Sequence, residues 1–134
     1  MEYLTGQFAL NLPCSLKTCG DWHTSALNWN HITFKDSDLS TFGDYGIETN
    51  KNIPEHTEKY NVANHIRAIL DLMVEKRFDL ISNFNDDFIC NDSYTTEIFQ
   101  KVSELLPDED IERFMHKTYG RRWRKWIGEK NMAK

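Results

Sequence analysis

The hydrophobic period of this 134-residue chain changes partway along it. Before about Tyr60 apolar positions alternate in short runs, and after it they recur every three or four residues. A period of two lines one face of a strand, and a period near 3.6 lines one side of a helix. The halves thus predict different elements, and the whole predicts an α+β domain. Residues 1–58 are expected to form mostly strands and turns in a small antiparallel sheet, and residues 59–128 a group of about four helices. Phe8 to Leu12 alternates up to Pro13, and Trp29-Asn30-His31-Ile32-Thr33-Phe34 repeats the pattern, so both are expected strands. Gly43-Asp44-Tyr45-Gly46 supplies turn residues before a brief Ile47-Glu48 segment, and Asn50 to Pro54 is expected as a connecting loop.

From Tyr60 onward, Val62, Ile66, Ile69, Leu70 and Met73 fall on one side of an amphipathic helix. A shorter helix is expected from Phe78 to Phe84. Asp92 or Ser93 can cap the next, which bears Ile98, Phe99, Val102, Leu105 and Leu106 and stops by Pro107. Asp108-Glu109-Asp110 opens the last helix, for which two courses stand open. It runs through Gly120, placing Ile111, Met115, Tyr119, Trp123 and Trp126 on one side, or it ends at Gly120 and leaves Arg121 to Ile127 as a separate helical turn. No repeat or linker divides the chain, and its length suits a single core over residues 1–134.

The formal charge of −5 hides a gradient. Arg121, Arg122, Arg124, Lys125, Lys130 and Lys134 face only Glu129 in the last 14 residues, a local balance of +5; the other 120 residues carry 10 basic against 20 acidic groups, or −10. A body of that sign repels polyanions, so any nucleic-acid contact is expected only at the basic end. Apolar runs are far shorter than the roughly 20 residues that span a bilayer. Met1-Glu2-Tyr3-Leu4 lacks the basic and apolar opening of a signal peptide. The expectation is a cytoplasmic protein with no membrane association, its three cysteines reduced and Cys90 packed in the core.

Several polar clusters are candidates for chemistry. Cys14, Cys19 and His23 have C-x4-C-x3-H spacing, a weak zinc-ligand candidate that lacks a local fourth ligand; no cofactor is expected. Asp21 with His23, or His56 beside Glu55, offers an acid–base pair if a cleft gathers them. His65, next to the apolar stripe, reads as a hydrogen-bonded structural histidine. Nucleotide-binding, hydrolase and zinc-protease motifs are missing from the chain. The strongest partner signal is Arg121-Arg122-Trp123-Arg124-Lys125-Trp126, where cations interleave with two indoles, a combination suited to an acidic protein groove or to nucleic acid. The same segment also suits a terminal helix whose tryptophans close the core.

Tyr3-Leu4-Thr5-Gly6 with Phe8-Ala9-Leu10-Asn11, Gly20-Asp21-Trp22-His23, Phe42-Gly43-Asp44-Tyr45-Gly46-Ile47-Glu48 and Tyr60-Asn61-Val62-Ala63-Asn64 span most of the chain. In these motifs it resembles a family of small, functionally uncharacterised bacterial proteins. The resemblance implies a mobile-element or toxin–antitoxin-like locus and assigns no residue a role. Three functions follow as expectations. The first is a non-catalytic, antitoxin-like protein that binds a cognate toxin through Arg121 to Trp126. The second is a small enzyme acting on RNA or a nucleotide through His23, Asp21 or His56. The third is a phage-type inhibitor whose acidic body meets a basic nucleic-acid-binding enzyme.

Overall fold

A computed structural model describes residues 1–20, 32–53 and 57–132. Four strands form one mixed sheet in the order β2-β1-β4-β3: β1 (Glu2–Thr5), β2 (Thr33–Asp36), β3 (Ile47–Asn52) and β4 (Lys59–Ala63). Around and after the sheet come α1 (Gln7–Leu10), α2 (His65–Val74), α3 (Phe78–Ile81), α4 (Thr95–Ser103), α5 (Glu109–Tyr119) and α6 (Arg121–Met132). The class is α+β, with the strands in the N-terminal half and most of the helices in the C-terminal half.

The sheet is not purely antiparallel. β1 pairs antiparallel with β2, Leu4 facing Phe34, and parallel with β4, Leu4 facing Val62; β3 and β4 are antiparallel. Local spacing cannot announce the central parallel pair, because its partners are brought together by long connections rather than by a tight turn. β1 is interior, and Tyr3, Leu4 and Thr5 are all buried, as a strand covered on both faces requires.

Three expectations about elements are corrected. Phe8 to Leu12 is not a strand: Gly6, at φ +77°, turns the chain out of β1, and one helical turn buries Phe8, Ala9 and Leu10 together. Tyr60 to Ala63 is strand rather than helix, because Asn64 stops it and caps α2, its side chain accepting from the Arg67 N–H at 2.9 Å. Asn50 to Asn52 belongs to β3 rather than to a loop; the register shifts between Glu48 and Lys51, and Asn50 takes φ +55° within that irregularity. At the other end, Gly120 separates α5 from α6, with φ +59° and its N–H donating to His116 O at 2.8 Å.

Helix α2 is the centre of the molecule, with every residue from His65 to Met73 buried. It packs on β1 and β4 and against α1, α3 and α4. Arg67, with no exposed side-chain surface, is held by a full set of partners. Its Nε donates to Asp71 Oδ1 (3.0 Å), Nη1 to the carbonyls of Gly43 and Tyr45, and Nη2 to Tyr3 OH and Ser40 Oγ. Asp71 Oδ2 accepts from Tyr3 OH and Thr5 Oγ1, each at 2.7 Å. A buried charge is tolerable when every donor is matched in this way. Gly46 is part of the fit: a Cβ there would stand 2.8 Å from Arg67 Cβ.

The C-terminal half closes over a chain of rings. Phe78 and Phe84 stack on Phe114, Phe84 and Phe99 meet Tyr119 edge-on, and Phe99 meets Trp123, which stacks on Trp126 with centroids 5.9 Å apart. Such ring pairs add roughly 0.5–1.5 kcal/mol each beyond their buried area. The aromatic richness of the composition is therefore spent largely on the interior.

Candidate functional site

Among the described residues, two places gather polar groups that suit a site: the outer face of α6 and the loop from Leu12 to Gly20. On α6, a 100° step per residue puts Arg121, Arg122, Arg124 and Lys125 on one arc, opposite Trp123. All four cations are exposed, whereas Trp123 is wholly buried, its Nε1–H donating to Glu112 Oε2 at 3.1 Å. Arg122 reaches Asp92 at 3.5 Å and lies over the Tyr119 ring. Arg121, Arg124 and Lys125 make no ion pair among the described residues. Trp126 is half-buried, stacked on Trp123 and within 5.2 Å of the Lys130 ammonium. The expected surface is therefore split: the cations and part of Trp126 are exposed, and Trp123 is an anchor with no surface for a partner.

The loop from Leu12 to Gly20 is tied down along its length. Cys19 and Cys90 are disulfide-bonded, their Cα atoms 5.7 Å apart, and both residues are exposed. This corrects two expectations, that all the thiols are reduced and that Cys90 packs in the core. The pairing follows from backbone contacts: the N–H groups of Cys19 and Gly20 both donate to Phe88 O, which brings this loop onto the helical turn Asn85–Ile89 that ends at Cys90. Asn91 Nδ2 donates to Lys17 O, and the Lys17 N–H to Tyr94 OH, extending the seam.

The same loop holds the one free cysteine among the described residues, Cys14. His65, the first residue of α2, is fully buried beneath it. Its Nε2–H donates to Leu12 O at 2.6 Å, and its Nδ1 hydrogen-bonds to Thr18 Oγ1 at 2.6 Å; that hydroxyl lies 3.6 Å from Cys14 Sγ. Both ring nitrogens are thus engaged, as the structural reading of His65 expects. Gly20 makes room for the ring, since a Cβ there would stand 3.0 Å from His65 Cε1 and 2.9 Å from Leu10 O. Burial pushes the Cys14 thiol up, but hydrogen bonds from His65 and Thr18 outweigh it and hold the thiol below its ordinary value. Burial pushes His65 down, and Cys14, the Leu12 carbonyl and the charge of Glu48 outweigh that, so the imidazole sits above its ordinary value.

Cys14 lies on the wall of a cleft of 310 Å³. Leu12, Ile53 and Val62 supply apolar walls, and Ser15, Glu48 and Lys51 the polar side. Glu48 Oε2 accepts from the Ser15 N–H (2.8 Å) and hydroxyl (2.5 Å), and Oε1 from Lys51 Nζ (2.6 Å). Lys51 Nζ also donates to Pro13 O at 3.1 Å, which leaves one of its three N–H groups without a protein partner among the described residues.

The remaining candidates are not assembled. Asp21, His23 and His56, with His31 and Glu55, lie outside the described residues. The zinc candidate Cys14, Cys19 and His23 loses a thiolate to the Cys19–Cys90 bond, and no group of three or more metal-ligating side chains occurs among the described residues. The pairing of Cys14 with His65 was missed because 51 positions separate them and neither stands in a recognisable motif; only the fold of the loop over α2 unites them. No helix among the described residues is long and apolar enough to cross a membrane. No family model, curated protein or solved structure matches this chain.

Proposed function

We propose that this chain is a non-catalytic protein-binding module, an antitoxin-like partner that masks another protein, and that it docks through α6. The observation that carries the reading is the set of exposed cations Arg121, Arg124 and Lys125, which lack ion pairs among the described residues, on a helix whose opposite side is anchored by buried Trp123. Because α6 is anchored, a partner that docks on these charges has only their side chains, and not the helix backbone, left to order. The partner is a protein with an acidic patch, because the acidic remainder of the chain opposes a polyanion lying across it. The part of half-buried Trp126 left exposed supplies an apolar contact beside the charges. The toxin–antitoxin-like locus that the family resemblance implies would make that partner a cognate toxin.

The test is co-purification with the product of the neighbouring gene, using the wild-type chain and an Arg121→Glu, Arg124→Glu, Lys125→Glu variant. The expected result is salt-sensitive capture by the wild type and loss of capture by a variant whose circular dichroism is unchanged. Equal capture by a folded variant would overturn the assignment of this face. Retention of nucleic acid by the wild type alone, with no protein captured, would transfer the face to nucleic acid.

A further inference from the structure

The Cys14 cleft is separate from the α6 surface and combines features that packing does not require. A free thiol lines an open cleft, a buried imidazole and a threonine hydroxyl stand behind it, and a lysine with an uncommitted N–H stands at its side. A thiol that only filled space would gain nothing from a hydroxyl 3.6 Å from its sulfur that is itself hydrogen-bonded to a buried imidazole. From this geometry we propose that Cys14 is a nucleophilic residue that accepts an acyl group from a compact, largely apolar acyl donor bound in the cleft, with Thr18 and His65 as its positioning residues.

The chemistry balances without an oxidant or metal. The Cys14 thiolate adds to the acyl carbon, a C–S bond forms, and the bond from that carbon to the leaving group breaks with its electron pair going to the leaving group. If the thiol starts protonated, its proton passes through the Thr18–His65 pair; the leaving group takes its proton from solvent. Leu12, Ile53 and Val62 suit the apolar body of an acyl chain. The spare N–H of Lys51 is placed to meet the acyl oxygen or an anionic end of the donor. Among the described residues, the charged groups that face the thiol and imidazole are Glu48 and Lys51, which pair with each other. The lowered thiol and raised imidazole described above are what such a pair displays.

The full chain, with its disulfide intact, is mixed with p-nitrophenyl acetate, and p-nitrophenolate release is followed against pH. The expected result is a burst of about one equivalent per chain, with an acetyl group on the peptide containing Cys14 and half-maximal rate below the ordinary thiol pKa of about 8.5. Cys14→Ser abolishes the burst, and Lys51→Met slows it. His65→Gln, if folded, slows it by roughly 100-fold, the low end of what a positioned acid–base partner contributes. Thr18→Val covers the case in which His65→Gln does not fold and is expected to shift the pH profile upward. A wild-type burst that is missing, or that follows an ordinary thiol profile, overturns the proposal whatever the variants do. So does acetyl found only on lysines. None of these outcomes bears on the α6 surface.

Discussion

Asp71→Ala tests whether the buried ion pair beneath the sheet is a stabilising centre. The carboxylate accepts from Arg67 Nε, Tyr3 OH and Thr5 Oγ1, and Arg67, Tyr3 and Thr5 are all fully buried. Removing it leaves a guanidinium with only neutral acceptors and strands the Thr5 hydroxyl. Removing one side of a buried pair costs about 3–5 kcal/mol, largely because the other charge stays behind. A stranded hydroxyl adds roughly 1–3 kcal/mol, but groups within one network do not add fully, so about 4–5 kcal/mol is expected in total. A domain of this size has about 5–15 kcal/mol to lose, so the variant stands at the edge of folding. Asp71→Asn, which keeps an acceptor of the same shape, loses less. Arg67→Met with Asp71→Leu removes both charges and is expected to recover most of the loss. Urea unfolding followed by tryptophan fluorescence gives the midpoint and slope for each variant. An Asp71→Ala loss below about 1 kcal/mol at unchanged slope, or a double variant worse than the sum of the singles, would refute the reasoning.

Trp123→Ala is expected to cost about 3–5 kcal/mol in the same assay, whereas Trp126→Ala at the half-buried position costs less and falls mainly on partner binding. Reducing the disulfide, or Cys90→Ser, frees a loop spanning 71 positions and lowers stability by up to about 4 kcal/mol; thiol titration of the unfolded chain should give one thiol before reduction and three after. Burial raises Tyr3, Tyr45 and Tyr119 above the ordinary tyrosine value, reinforced at Tyr3 by Asp71 and at Tyr45 by Glu97. A folded-state pKa above the unfolded one gives stability that is complete below the unfolded value, near pH 10, and is lost as pH rises toward the folded one. Thermal melting between neutral and strongly alkaline pH should therefore hold level and then fall, and a melting point that rises above pH 10 would contradict it.

What was legible in the sequence depended on range. The change of period placed strands before helices, and the stripe Ile66, Ile69, Leu70 and Met73 does lie in the core. Asp108, expected at the opening of α5, caps it through its bonds to the N–H groups of Asp110 and Ile111, and of the two courses open at Gly120 the structure takes the one that ends the helix there. Pairings across the chain were not legible. Nothing local links Leu4 to Val62, Arg67 to Tyr3, or Cys19 to Cys90, since each depends on how distant elements pack. The α6 segment shows the same limit at close range. Its composition alone could not tell which tryptophan is anchored, whereas the aromatic chain through Phe99 decides it.

The place of β1 in the middle of the sheet bears on how the molecule comes into being. Leu4 has its parallel neighbour at Val62, 58 positions further on, so β1 must wait for a strand made well after it. Contacts of that span are slow to close. Until β4 has left the ribosome, Tyr3 and Leu4 present an open edge and an uncovered apolar face, which leaves this short stretch in need of shelter.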